Sequence, residues 1–498
     1  MTGSVSVLVP VMAFLALLLT VGWLANRAGR SAKDFERDYF IGSRGMGGIV
    51  LAMTLVATYG SVSSFVSGPG VAWNLGFGWV VFAAPQIITG FLLLGTVGKK
   101  LAVIARRTDS LTIIDVLRAR YESRGLAVAF SVFLLVFFTA MVVGQFMGGA
   151  QIFSAITGLD YKLGLILFAA VTVIYTSSGF RAVVWTDAVC AVLMLVGMVS
   201  LGWTVLDEGG GISGIMQTIS AANVGPDGVS RNLKPDAGGA LPWTLLFSSW
   251  ILVGFGTVGL PQSLVRCLGY RTTRDLSRAM IVATIVCGAL MIGMTLIGVL
   301  ARGVVLAKPA AGTDAVIPQL IVGHMNPILA GITIVGPLAA TMSTVSSLLI
   351  AASSTVVRDL LERSVGEEAR KRLSTLDPKR VSVSVTLFLG LVSILLALYP
   401  QSIVVWVNMF AFGGLESAFL WPVVLGLFWP RMNTRGAAWG VATGLGLYTA
   451  MMALGIHVAG FHNIVFGTFA GFLFSVIGTL SGEGNSRRVR EVFFPNRD

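Results

Sequence analysis

Runs of roughly 18 to 28 predominantly apolar residues, separated by short polar loops, recur from one end of this 498-residue sequence to the other. That is the length a helix needs to cross a hydrocarbon layer about 30 Å thick. Lipid cannot bond a free N–H or C=O, so such a chain folds as a bundle of membrane-spanning helices in a lipid bilayer. The period-two alternation of a transmembrane barrel is absent. Composition agrees with this: charged residues make up 12%, about half the roughly 25% of a soluble domain. Sixty glycines imply closely packed helices.

Thirteen spans are expected, at roughly 3–25, 46–71, 77–97, 125–154, 162–179, 183–205, 241–262, 278–302, 327–357, 380–399, 401–429, 436–455 and 462–481. The loops between them alternate in charge. One set carries Arg27, Arg30, Lys33, Arg37 and Arg44; Lys99, Lys100, Arg106 and Arg107; Arg266, Arg271, Arg274 and Arg278; Arg370, Lys371 and Arg372; and Arg431 and Arg435. Lys and Arg accumulate on cytoplasmic loops, which puts the N-terminus outside and the tail with Arg487, Arg488 and Arg490 inside. These loops account for the net charge of +12, so it does not signal nucleic-acid binding. The first apolar run has neither a basic leader nor a small-residue cleavage site and reads as a retained helix.

The chain then divides into a first helix and its loop (1–45), spans 2–6 (46–205), a Gly- and Asp-rich outside loop (206–240), spans 7–11 (241–430), and two last spans with a cytoplasmic tail (431–498). Two spans are interrupted. The second carries Ala57-Thr58-Tyr59-Gly60-Ser61 and then Gly68-Pro69-Gly70; the seventh carries Gly254-Phe255-Gly256-Thr257 and then Gly259-Leu260-Pro261. Broken helices at membrane depth survive only where protein or a polar cavity satisfies the freed backbone groups. Their separation by five spans is what two inverted five-helix repeats require, and broken helices in matching positions point to a transporter site. Taken one at a time, these glycines need mean no more than close packing.

An intramembrane carboxylate is costly and is a functional candidate by default. Asp187 and Glu416 are the two inside the expected spans. Asp187 has an alternative as the partner of Arg181 or another interfacial base; for Glu416 a structural or gating hydrogen bond is favoured over ion ligation. Span 9 contains Ala340-Thr341-Met342-Ser343-Thr344-Val345-Ser346-Ser347, a hydroxyl patch in an apolar helix. Hard cations are served by neutral oxygens. The hydroxyls of Ser343 and Thr344, the carbonyl of Ala340, and carbonyls of Ala57 and Gly60 from the broken second span would make a five-oxygen sodium site. Against this, Ser and Thr in a membrane helix commonly bond their own preceding turn or a neighbouring helix. Cys190, Cys267 and Cys287 lack metal-ligand spacing, and His324, His457 and His462 belong to no catalytic motif, so an enzyme is not indicated.

The sequence resembles the sodium/solute symporter family over nearly its whole length. The resemblance rests on Ala57 to Gly70, on Gly179-Phe180-Arg181-Ala182-Val183-Val184-Trp185-Thr186-Asp187, on Gly259-Leu260-Pro261-Gln262 through Arg266, on Ser343-Thr344, and on Gly426-Leu427 with Arg431 and Gly436-Ala437. Ser178 and Cys190 depart from the usual pattern, which has Gly and often Gln there. The resemblance implies an all-α membrane protein with a LeuT-type core, sodium bound by Ala57, Gly60, Ala340, Ser343 and Thr344, and Asp187 on the sodium's inward route. Residues 47–55, 67–70, 412–416 and 419–422 are most similar to the branch whose solute is pantothenate. The implied protein is a sodium-coupled importer of the bacterial inner membrane. Ser61, Ser63, Ser64 and Gln145 are the neutral candidates for solute contact, since no Lys or Arg is expected at the midplane. The same machine could carry proline, a sugar or a monocarboxylate. A channel would need a continuous lined pore rather than two broken helices, and a sensor would need more than the short tail after about residue 481.

Overall fold

A computed structural model describes residues 5–29, 44–177, 179–363, 377–399 and 403–495. Arg30, Lys33, Arg37, Ser178 and Arg370 to Arg372 lie outside these, as do the side chains of Arg27 and Arg181. Among the described residues the chain is helical, without strands, and a helix or broken helix stands at each of the thirteen expected positions: Val5–Gly29, Gly48–Tyr59 with Ser63–Leu75, Phe77–Arg107, Arg124–Thr157, Tyr161–Thr176, Phe180–Glu208, Trp243–Leu268, Thr273–Leu300, Pro327–Glu362, Pro378–Ala397, Val404–Phe428, Thr434–Ala453 and Ile464–Leu480. We number these spans 1–13. Nine are long and apolar enough to cross a membrane alone, and the bent pair of span 2 makes a tenth. Large apolar side chains such as Val199, Trp203, Ile285 and Phe388 are exposed, as hydrocarbon-facing positions require.

Span 9 is the central post, with 83% of its apolar window buried against 28% for spans 1 and 10. Spans 2, 4, 6 and 10 pack around it. Its helix runs five residues past the expected end, to Glu362, and so takes in Asp359, a third buried carboxylate that accepts a hydrogen bond from Thr112. Spans 12 and 13 meet through small residues: a Cβ on Gly436 or Gly440 would strike the hydroxyls of Thr479 and Ser475, so the four-residue spacing lets the two backbones touch.

The interruptions at spans 2 and 7 are real breaks. Span 2 bends by 68° between its halves. Span 7 passes from an α-turn through a π-turn (Trp250–Gly254) and a 3-10 turn (Phe255–Gly259) before Pro261 restarts the α-helix, a position where the missing N–H of proline costs nothing. Both broken spans are tied at the end of the bundle where Arg106 and Arg271 gather: Met46 N–H bonds Gly269 O, Arg271 N–H bonds Met46 O, and the Asp275 carboxylate accepts from Gly48 N–H. The segment 206–240, expected as a loop, contains a helix (Gly211–Ala221) and docks through Asn232 onto the carbonyl of Asn74, at the turn between spans 2 and 3.

Candidate functional site

The break in span 2 leaves carbonyls without helical partners, and span 9 meets them with hydroxyls. Ser343 Oγ donates to Ala57 O at 2.9 Å and lies 3.1 Å from Ala340 O. Thr344 Oγ1 donates to Gly60 O at 3.0 Å and lies 2.9 Å from Ala340 O. The five oxygens named from the sequence therefore converge in one buried place between two helices. Of the neighbouring hydroxyls, Thr341 and Ser346 bond only carbonyls of span 9 itself, while Ser347 bonds Ser343 O and also meets Thr58 and Arg266. Ser343 and Thr344 thus make both contacts common to a membrane hydroxyl, to their own preceding turn and to a neighbouring helix, at the place where the sequence puts the sodium site. The oxygens at the break are all neutral, which is the donor set a hard monovalent cation takes; receiving one requires the two hydroxyl hydrogens to turn away from the carbonyls.

One helical turn toward the basic end lies Asp187. Thr54 Oγ1 donates to its Oδ2 at 2.6 Å, and Arg266 Nη2 donates to the same oxygen at 3.1 Å. Arg266 also bonds Thr58 through Nε at 3.1 Å, contacts Ser347, and stacks its guanidinium over Phe180 at 4.7 Å. A base this close to a loop is expected to lie in the loop, because loops and charges coincide in most spans. Instead, the helix restarted by Pro261 carries Arg266 under spans 2, 6 and 9, where 2% of its side chain and none of that of Asp187 is exposed. Of the two readings of Asp187, the ion pair exists and its partner is Arg266. No sequence signal singled out this base except its position five residues into a helix that begins at a break.

On the other side of the break a small cavity is lined by Tyr59, Ser61, Ser63, Ser64, Asn408 and Phe412 among others. Three of the four proposed solute-contact residues, Ser61, Ser63 and Ser64, line it, and Ser63 Oγ has no hydrogen-bond partner. Gln145 does not. Its Oε1 accepts the freed N–H of Val62 at 3.0 Å, so it supports the broken backbone, as buried backbone donors demand. Tyr59 and Phe412 face one another with ring centroids 6.4 Å apart at the inner end of the cavity. Glu416, one turn beyond Phe412, is fully buried, and neither carboxylate oxygen has a hydrogen-bond partner; the hydrogen bond expected of it is not made.

At the far rim, Ser67 Oγ donates to Asp314 Oδ1 at 2.6 Å and accepts from Val405 N–H at 3.0 Å, while Val404 N–H donates to Asp314 Oδ2 at 3.2 Å. Asp314 thereby clasps the second half of span 2 (Ser63–Leu75) to the start of span 11. Burial pushes its carboxyl above the usual carboxylate range, the two donors offsetting part of the rise.

The profile of the Sodium:solute symporter family matches residues 39–444. The chain is 40% identical over 483 residues to the sodium/pantothenate symporter of Escherichia coli (strain K12), covering 96% of this chain and 97% of that one. It is 38% identical to the sodium/pantothenate symporter of Haemophilus influenzae, covering 98% of each. Among solved structures, a substrate-bound, outward-open Na+-coupled sialic acid symporter superimposes with a TM-score of 0.78 at 20% sequence identity, over 97% of this chain and 99% of that one.

Proposed function

The chain belongs to the sodium:solute symporter family, and from that premise we propose that it imports pantothenate together with sodium across the bacterial inner membrane. It is a sodium-coupled membrane transporter with a LeuT-type fold, not an enzyme. Sodium is cargo here and binds at Ala57, Gly60, Ala340, Ser343 and Thr344. The observation that carries this reading is the pair of contacts from Ser343 and Thr344 to the carbonyls at the break of span 2: the ion would fill a site shared by two helices that must move relative to one another.

Residues 46–205 and 241–430 form two inverted five-span repeats, flanked by 1–45, 206–240 and 431–498, and the core rocks against the remaining helices to expose the midplane alternately to each side. The N-terminus lies outside and the C-terminus in the cytoplasm, as the basic loops require. Solute occupies the cavity next to Ser61, Ser63 and Ser64. Gln145 acts indirectly, by holding the break at Val62 open. Asp187 and Arg266 close the sodium's inward route, and the ion leaves when this pair separates.

A pantothenate carboxylate entering against a negative interior costs about 2.3 kcal/mol per 100 mV, which one sodium cancels. Uptake of labelled pantothenate into proteoliposomes tests the proposal. Accumulation only under an inward sodium gradient is expected. Sodium-driven uptake of another solute that pantothenate does not inhibit would overturn the substrate, and uptake indifferent to sodium would overturn the site.

A further inference from the structure

Glu416 is a buried carboxylate that the sodium pathway above leaves unused, and it differs from Asp115, Asp275, Asp314 and Asp359 in that, among the described residues, neither of its oxygens has a hydrogen-bond or ion-pair partner. Among the described residues no Lys, Arg or His pairs with it, and both its oxygens lack a donor. The hydroxyls that surround it are committed elsewhere: Tyr59 donates to Val253 O, Thr257 to Gly254 O, and Tyr448 of span 12 to Phe410 O. A fully buried carboxylate that no protein donor meets is an arrangement that proteins resolve with a counter-ion or a proton.

The surroundings fit such a guest. Glu416 faces Gly256 in the break of span 7, and a Cβ there would lie 2.4 Å from Glu416 Oε2 and 2.5 Å from the carbonyl oxygen of Ile251. The missing side chain thus brings a carboxylate oxygen and a backbone carbonyl to the same point. The site lies next to the cavity. Asn408, Met409, Phe412 and Glu416 follow one another down one face of span 11. The first three line the cavity, as does Tyr59, whose ring lies 6.4 Å from that of Phe412, and Glu416 is one helical turn beyond Phe412.

We propose that Glu416 binds a second co-transported monovalent cation, a sodium ion or a proton, which reaches it from the cavity past Tyr59 and Phe412. This rests on the sodium-coupled import proposed above. It adds one positive charge to each cycle, so that each interior-negative step of about 59 mV multiplies the attainable accumulation by about ten.

The test is the solute gradient at which net flux stops in proteoliposomes with set sodium gradient, pH and membrane potential, for the wild type and for Glu416→Gln. Its dependence on membrane potential should show the wild type moving one more charge per solute than Glu416→Gln, whichever solute is carried, while the variant keeps its dependence on sodium. If the second cation is sodium, the wild-type balancing gradient follows the sodium gradient as the second power; if it is a proton, it responds to a pH gradient at constant sodium. Equal charge per solute in the two proteins overturns the proposal. So does, without any variant, a wild type with first-power sodium dependence and no response to pH. A wild type with no sodium dependence would instead overturn the import reading itself.

Discussion

Asp187 and Arg266, 79 positions apart in the chain, meet as one fully buried ion pair at 3.1 Å between spans 6 and 7. Removing one member of such a pair leaves the other charge uncompensated, at about 3–5 kcal/mol. Asp187→Ala should therefore lower the unfolding temperature of the purified protein markedly, and Asp187→Ala with Arg266→Gln should restore much of the loss. In the milder Asp187→Asn, turnover should slow with little change in solute affinity at saturating sodium. A double variant no more stable than the single one would show that the pair is not what holds these spans together.

The clasp from Asp314 to Ser67 and Val404 adjoins the cavity-lining residues Gly68 and Val405 and should therefore govern access to the cavity from that side. Asp314→Ala should raise the rate at which a cysteine placed at Ser64 is labelled by a reagent added from the outside. The carboxyl is raised above its ordinary value in the clasped form, so protonation favours that form: the clasp gains as pH falls through the raised value and weakens as pH rises through it. Thiol labelling slows in acid for any cysteine as the thiolate is lost, so the rate is read relative to a cysteine on an exposed loop: that ratio should be lower in acid than at neutral pH in the protein carrying Asp314 and should lose this dependence with Asp314→Ala. A higher ratio in acid would reverse the sign and refute the clasp.

Gln145 holds the N–H of Val62, and Gln145→Leu would leave that donor buried and unbonded at about 1–3 kcal/mol. Thermal stability should fall and half-saturating sodium should rise, because Gly60 sits in the same break. A loss of solute affinity at saturating sodium with unchanged stability would return Gln145 to the solute site.

What could be read in the sequence was what is local. The spans follow from run length, and the breaks at Gly60 and at Gly254 to Pro261 follow from residues that interrupt a helix within its own turn. The meeting of Ser343 and Thr344 with the break of span 2 was legible because the two hydroxyls are adjacent in an otherwise apolar helix and the break frees carbonyls for them. Arg266 was not, since hydropathy assigns a base beside a loop to that loop and its partner is known only once spans 6 and 7 are side by side. Gln145 and Glu416 failed for the same reason in opposite directions: whether a buried polar side chain has a partner depends on a neighbouring helix, in one case a freed N–H and in the other a bare glycine.

The proposed mechanism rests on Ser343 and Thr344, and their contacts to Ala57 and Gly60 allow a discriminating test. Replacing either with Ala removes one oxygen from the cation while leaving the helix intact, and losing a contact worth about 1.4 kcal/mol weakens binding about tenfold. Half-saturating sodium should rise about tenfold or more in each variant with expression near normal. Sodium and solute affinities are reciprocally coupled, so solute affinity should fall at low sodium and recover as sodium is raised. Thr341→Ala is the control, because Thr341 is equally buried but bonds only Pro337 O of its own helix, and it should leave the sodium curve in place. If the hydroxyls of Ser343 and Thr344 serve only to join spans 9 and 2, both variants lose stability and keep the wild-type sodium curve. Sodium titrations of solute binding to the purified proteins separate the two outcomes, and an unshifted curve in both variants removes the site.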